Sequence, residues 1–241
     1  MNTRYIRTIL LVLAIFVVGA YYLHIVRGSG NVILESWKVN SFDHIVLSGS
    51  GVVIITQNGE ESLRVETDDN VMEYIKADVK DGTLHIGFND GINMISTTRL
   101  IFYVGVDNLN SLTILGSGNI ETKRLEANRL KVEIYGSGNV QVADMVVENF
   151  ETDIYGSGSI QLAGEVDTQI VTINGSGKYL AGEVCSKQVS VWVNGSGDSM
   201  ICALDMLEVI ITGSGSVKYY NNPMVNFSGF GSGSLLSLGK P

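Results

Sequence analysis

One triplet recurs through the C-terminal half of this 241-residue chain. Gly-Ser-Gly begins at Gly116, Gly136, Gly156, Gly175, Gly195, Gly213 and Gly231, at intervals of 20, 20, 19, 20, 18 and 18 residues. Two further copies, at Gly28 and Gly49, lie upstream and off that period. A fixed period near 20 residues is the signature of a repeat architecture, in which each unit buries its apolar face only against its neighbours.

The residues around the triplet alternate with a period of two. Leu130, Val132, Ile134, Gly136, Gly138, Val140 and Val142 share one parity, and Lys131, Glu133, Tyr135, Ser137, Asn139 and Gln141 the other. The next unit repeats this with Phe150, Thr152, Ile154, Ile160 and Leu162, and a later one with Val189, Val191, Val193 and Ile201. Such alternation is that of a strand with one face buried, and a helical period of 3.6 does not fit it. A glycine on the inward parity removes the side chain where the backbone bends sharply or approaches another backbone. The expectation is an all-β, parallel β-solenoid of about 18–20-residue coils, with Gly-Ser-Gly corners between two apolar faces. Rungs about 4.8 Å apart would make the seven regular copies a column about 30 Å long. The seven corner serines then form one outward ladder, either as a ligand surface or because a small hydroxyl suits a tight turn.

Composition narrows the class. Hydrophobic residues make up 45% and charged residues 17%, which excludes a disordered chain. Proline occurs only at Pro223 and Pro241, in keeping with long uninterrupted ladders. The net charge of −9 and the absence of a basic run after Arg27 argue against a nucleic-acid partner. The two cysteines, Cys185 and Cys202, fall in successive repeat units. In an exported chain they either pair or sit as small buried apolar groups, and their unequal offsets from the preceding triplet count against a disulfide. His24, His44 and His85 lie far from both cysteines in sequence, so no metal-ligand spacing is present and no cofactor is implied.

In chain order, residues 1–27 are expected to be an N-terminal hydrophobic helix. Arg4 and Arg7 precede an apolar stretch from Ile9 to Val26, long for a signal peptide and short for a membrane span. Tyr21 and Tyr22 suit a membrane interface and favour an uncleaved anchor, and Val18-Gly19-Ala20 is an alternative cleavage site. Either way the remainder is exported, to the periplasm or the cell exterior. Gly28–Ser36 reads as a short flexible exit. Residues 28–108 form a less regular β segment, and 109–241 the regular solenoid. Within the former, Leu63–Thr67 and Leu100–Val106 are strands, and Asp81-Gly82 is a hairpin turn. Asp68, Asp69 and Asn70 cap a short helix over Val71–Ala77, since a calcium loop would need more acids and a distal glutamate.

A search for catalytic groups finds no nucleophile with a base, because histidine is absent after His85. No triplet continues into a phosphate loop. Glu133, Glu151, Asp153 and Asp198 fall near the outward parity on different rungs, where neighbours would reach glycosidase spacing, although scattered acids on a wet face are commonplace. The residues just before the triplets include Tyr135 and Tyr155, brought side by side by stacked rungs, and Trp192 also lies on the outward parity. Such aromatics either stack on a sugar ring or protein partner, or stabilise their own ladder. Tyr135, Tyr155 and Trp192 are the candidate recognition residues.

Several stretches resemble a known family. Phe42-x-x-Ile45 leading to Leu47-Ser-Gly-Ser-Gly and Val52–Gln57 is one. Leu109-x-x-Leu112-x-Ile114-x-Gly116-Ser-Gly is another, with the serial triplets that end in Val217-x-Tyr219. Over about residues 31–235 the chain resembles the bacterial head GIN domain proteins, a group described as auto-transporter adhesins. The resemblance implies an exported β-solenoid of the cell envelope whose adhesive role is inferred, and it brings no catalytic residues. Nothing in the chain is similar to an outer-membrane barrel. The expected function is therefore a non-enzymatic envelope or surface binding protein, an adhesin recognising a glycan or a protein. The alternatives are a polysaccharide-degrading solenoid, which would need outward carboxylates gathered with a basic residue, and an envelope signalling scaffold.

Overall fold

The computed structural model describes residues 25–89 and 94–240. The chain runs through β1 (Ile25–Arg27), β2 (Val32–Trp37), β3 (His44–Gly49), β4 (Val52–Gln57), β5 (Ser62–Asp68), α1 (Asp69–Met72), β6 (Ile75–Lys80), β7 (Thr83–Phe88), β8 (Met94–Ser96) and β9 (Leu100–Val106). It continues as β10 (Ser111–Gly116), β11 (Asn119–Thr122), β12 (Leu125–Gly136), β13 (Asn139–Gly156), β14 (Ser159–Gly175), β15 (Lys178–Gly195), β16 (Asp198–Gly213), β17 (Ser216–Tyr220), β18 (Met224–Gly231) and β19 (Ser234–Gly239). The architecture is a parallel β-solenoid of about six turns.

The triplets lie directly on one another. Gly116 pairs in register with Gly136, Gly136 with Gly156, Gly156 with Gly175, and so on to Gly213 with Gly231. Gly49, off the sequence period, is in register too, beneath Gly116. Its turn, β3 and β4, is separated in sequence from the next because the intervening residues make an excursion that builds the N-terminal end of the column. Leu130, Val132, Ile134, Val140 and Val142 are all buried, as their parity requires.

The two glycines of a corner have different causes. Gly156 has φ +126°, and a Cβ there would sit 2.3 Å from the carbonyl oxygen of Gly136 on the rung below. Gly158 has no positive φ, but a Cβ would stand 2.6 Å from Cγ2 of Ile134 and 2.7 Å from Gly138 O. Between them Ser157 N donates to Gly136 O at 2.9 Å, so the backbone ladder continues through the bend. The serine side chains face outward, and among the described residues the corner hydroxyls form no side-chain hydrogen bonds.

Each turn has three runs, where the alternation around the triplet suggested two. In β13 the buried positions are Val140 and Val142, then Met145 and Val147, then Phe150, Thr152 and Ile154. The parity flips twice, at Ala143–Asp144 and at Glu148–Asn149, where two successive residues face out. Two further bends therefore close each coil; in β13 they carry no glycine, whereas in β14 the first of them contains Gly164 at φ +123°. Inside the coil a polar cluster centred on Gln169 interrupts the apolar columns. Gln169 aligns with Phe150 below and Val189 above. Tyr179 Oη donates to its Oε1 at 2.7 Å, and its Nε2 donates to Ser186 Oγ at 2.6 Å and to Val184 O at 3.2 Å. All three side chains are buried, and burial raises the Tyr179 phenol far above its ordinary value.

The N-terminal end departs from expectation in three places. The hydrophobic helix expected over 1–27 falls outside the described residues except at its end, where Ile25–Arg27 form a strand parallel to β8. No helix among the described residues is long and apolar enough to cross a membrane. The segment read as a flexible exit contains β2, antiparallel to β5 from Val32–Asp68 to Trp37–Leu63. The helix expected over Val71–Ala77 is the shorter α1, because Ile75 already enters the β6–β7 hairpin. That hairpin turns at Asp81 and Gly82, both with positive φ, as an Asp-Gly turn of its type requires.

Asp68 does not cap α1 with its side chain. Its carboxylate accepts instead from Gly30 N at 2.7 Å, from Thr98 N at 2.7 Å and from Thr97 Oγ1. Asp69 accepts from Ser29 Oγ at 2.5 Å and Asn31 Nδ2 at 2.9 Å. The upstream triplet at Gly28 is thus the part gripped by the acidic turn, and not a corner of the column. Donation from Thr97 holds the Asp68 carboxyl below its ordinary value, and donation from Ser29 does the same for Asp69.

Candidate functional site: the outward face before the corner

The run that ends at each triplet presents three outward columns, and register sets their contents. The column nearest the corner reads Leu115, Tyr135, Tyr155, Asn174, Asn194, Thr212 and Phe230. The next reads Thr113, Glu133, Asp153, Thr172, Trp192 and Ile210, and the third Ser111, Lys131, Glu151, Ile170, Ser190 and Glu208.

Tyr135 and Tyr155 stack with ring centroids 4.9 Å apart and planes 4° from parallel. Their relative exposures are 42% and 41%, so the outer part of both rings faces solvent. The spacing is the rung spacing of the ladder itself, which holds the pair with no further support. Trp192 does not join them. It lies two rungs further along the axis, about 10 Å away, and one column further from the corner.

Beside the tyrosines the same two rungs gather four charges. Lys131 Nζ lies 3.3 Å from Glu133 Oε1, 3.4 Å from Glu151 Oε1 and 3.2 Å from Asp153 Oδ2. Tyr135 Oη donates to Glu133 Oε1 at 3.3 Å, which joins the aromatic pair to the cluster. Partial burial works to lower the Lys131 proton affinity, but the hydrogen bond to Asp153 and the charge of Glu133 outweigh it and raise it. Partial burial, seconded by the Glu133 charge, also raises Tyr135. Lys131 therefore holds its proton and serves as the cation between three carboxylates. Asp198 is not part of this group; it follows a corner and lies in register with Lys178 on another run.

Three outward carboxylates around one cation make a rim of hydrogen-bond acceptors next to an aromatic plate. That arrangement suits the stacking and hydroxyl contacts by which a sugar ring or a polar protein surface is held. No group of metal-ligating side chains occurs among the described residues. Cys185 and Cys202, in register on consecutive turns, are bonded to each other at the other end of this column. Sequence reasoning singled out the tyrosines and the acids separately; that Lys131 binds the acids into one network follows from the register alone.

With this fold and face described, the class is clear: a parallel β-solenoid with stacked glycine corners and an aromatic- and carboxylate-bearing side. The family described as "Putative auto-transporter adhesin, head GIN domain" matches residues 41–223, and the chain belongs to it. Among solved structures the chain is similar to a "putative adhesin" from Bacteroides fragilis, with a TM-score of 0.84 and 24% identity over 88% of this chain and 100% of that one. It is also similar to a "putative lipid binding protein" from Parabacteroides distasonis (TM-score 0.77, 24% identity, 89% and 99% covered). A "putative adhesin" from Parabacteroides merdae shares the fold at a TM-score of 0.71 with 21% identity, over 89% and 99% of the two chains. At these identities the likeness establishes the fold. A search of the curated proteins finds no match.

Proposed function

We propose that the protein is a non-enzymatic binding module of the cell envelope or surface, an adhesin that holds a glycan or protein partner through the face bearing Tyr135, Tyr155 and Trp192. The observation that carries this reading is the stacked, half-exposed tyrosine pair flanked by the Glu133, Glu151 and Asp153 carboxylates. A flat face with ordered aromatics and acceptors is a contact surface, and it costs the fold nothing. The family description and the adhesin neighbours support the same class. The apolar N-terminal stretch is the membrane anchor in this reading, with the column displayed outside the cytoplasm.

One observation favours the polysaccharide-degrading alternative: outward carboxylates do gather with a basic residue. Lys131, with its raised proton affinity, is a poor general base at neutral pH. A glycan array on the purified protein, run beside a reducing-sugar assay, tests both. The expected result is retained ligand without new reducing ends, and attachment weakened when Tyr135, Tyr155 and Trp192 are all replaced by serine with the fold intact. Unchanged attachment in that variant removes the proposed face. Release of reducing ends establishes an enzyme, and a defined protein partner without glycan affinity establishes a scaffold.

A further inference from the structure

The two ends of the column are finished differently. At the N-terminal end β7 lies beneath β3 and β9 beneath β4, and β5 and β2 extend this layer antiparallel. The inward side chains there, Leu63, Val65, Leu84, Ile86, Phe102 and Val104, are buried. The outermost strands of this end carry charge: Glu35 on β2, and Lys76, Asp78 and Lys80 on β6. Charged residues on an outer strand oppose pairing with another chain.

At the C-terminal end β18 pairs only with β16, and β19 only with β17, among the described residues. The outer edges of both strands therefore present unpaired backbone groups. Val225 and Phe227 continue the inward columns of Leu207 and Val209, yet they remain 39% and 43% exposed where the residues below are fully buried. The Phe227 ring lies over Gly229, whose Cβ would stand 3.0 Å from Cζ, so it half-covers the open interior. From Met224 to Gly239 there is no Asp, Glu, Lys, Arg or Pro, in a chain of net charge −9. No charged side chain or proline blunts these edge strands, and the one irregularity is a bulge at Leu238 in β19.

We infer that this edge is an interface with a second copy of the chain, joined C-terminal end to C-terminal end about a two-fold axis. Such an axis reverses the winding of one coil against the other, so the last rungs meet as antiparallel strands with both open edges paired. Two acidic copies repel wherever their charged faces meet, and this end is the uncharged surface on which that repulsion is least. The charged outer strands of the opposite end disfavour head-to-tail addition, so association closes at two and gives no filament. One rung's cross-section is on the order of 500 Å² per copy, about 1,000 Å² in total, at the lower limit for a specific interface. The dimer is accordingly weak and concentration-dependent.

Sedimentation velocity of the full chain in non-ionic detergent, over two decades of concentration, tests this. The expected result is a monomer–dimer equilibrium that Phe227→Lys shifts to concentrations at least about tenfold higher, because each copy then buries a charge at the joint. Ile170→Lys, outward on the flank, should leave it unchanged. Amide exchange in the unmodified protein supplies a readout free of any folding defect: β18 and β19 should gain protection as concentration rises. A monomer throughout, a dimer indifferent to Phe227→Lys, or exchange in β18 and β19 that ignores concentration would each overturn the inference.

Discussion

Replacing Gly156 by alanine separates the two demands that a corner places on its first residue. At φ +126° an alanine is strained in any surroundings, by about 1–2 kcal/mol. Its Cβ must also occupy a point 2.3 Å from Gly136 O and 3.2 Å from Gly136 C. Those atoms are backbone of the next rung, tied to Ser157 N by the 2.9 Å hydrogen bond that would have to lengthen. Overpacking of this kind adds roughly 1–3 kcal/mol, for a total of about 2–5 kcal/mol. Gly30 is the matched control: its φ is +88°, with nothing within 4 Å of the added carbon. Gly30→Ala should lose only the conformational part, and the gain from a stiffer unfolded chain is common to both variants and cancels. Urea denaturation followed by the fluorescence of Trp192 in the column and Trp37 in the N-terminal layer measures the difference. A gap of about 1–3 kcal/mol is expected, or roughly 2–12 °C in Tm for a domain of this size. If the two variants lose equal stability within about 0.5 kcal/mol, rung-to-rung contact is not what requires glycine at the corner.

Reducing the Cys185–Cys202 bond, which spans 17 residues, should cost about 3 kcal/mol by chain entropy, read as a lower urea midpoint with an unaltered far-ultraviolet spectrum. Acid should open the N-terminal layer before the column. Glu66, held down by donation from Tyr103 and then Arg99, joins Asp68 and Asp69 in having a lowered folded value. Their contribution is complete above the ordinary carboxylate values and is lost as pH falls below about 4 and through the lowered ones, so Trp37 should report a transition at higher pH than Trp192. Tyr179→Phe removes the donor to Gln169 Oε1 inside the coil and should destabilise by about 1–3 kcal/mol, with the double variant Tyr179→Phe/Gln169→Leu recovering part of the loss in a thermal melt.

Much of the column is legible in one dimension because its period and its parity are both local. Val132, Ile134, Val140 and Val142 alternate for the same reason that they are buried. What escapes such a reading depends on pairing between distant segments. Gly49 lies off the period because an excursion separates it from Gly116, and its place in the ladder is visible only once β3 and β10 are in register. The cysteines mislead in a similar way. Ala181 pairs with Ile201 and Cys185 with Cys202, so Gly182, Glu183 and Val184 bulge out of β15 and absorb the unequal offsets that counted against the bond. The two bends outside the triplet leave a trace, the parity flips after Val142 and Val147, but it is faint beside a repeated triplet. Gln169 leaves none: an amide on the inward parity reads as an error until Tyr179 and Ser186 are brought to it. Asp68 reads as a helix cap because Asp commonly is one, whereas its real donors, Gly30 and Thr98, come from segments far away in sequence.

The candidate face was legible to the same degree and for the same reason. On a solenoid flank a residue has neighbours in two directions, two positions along its strand and one turn away. Lys131 is 3.3 Å from Glu133, two positions along its strand, and 3.4 Å from Glu151, one turn away, so these two kinds of neighbour are equally close. Parity identifies the first kind and the repeat period the second, which is how Tyr135 and Tyr155 can be placed together. Trp192 shows the limit, since sharing a parity places it on the same face but two rungs away. This lattice also divides the labour among residues. The corners carry the backbone constraint, worth about 2–5 kcal/mol at one glycine, whereas a stacked outward pair contributes about 0.5–1.5 kcal/mol. Outward side chains can therefore be exchanged with little cost to the column. Loss of attachment in the triple serine variant, with the urea midpoint nearly unchanged, would accordingly report on recognition and not on unfolding.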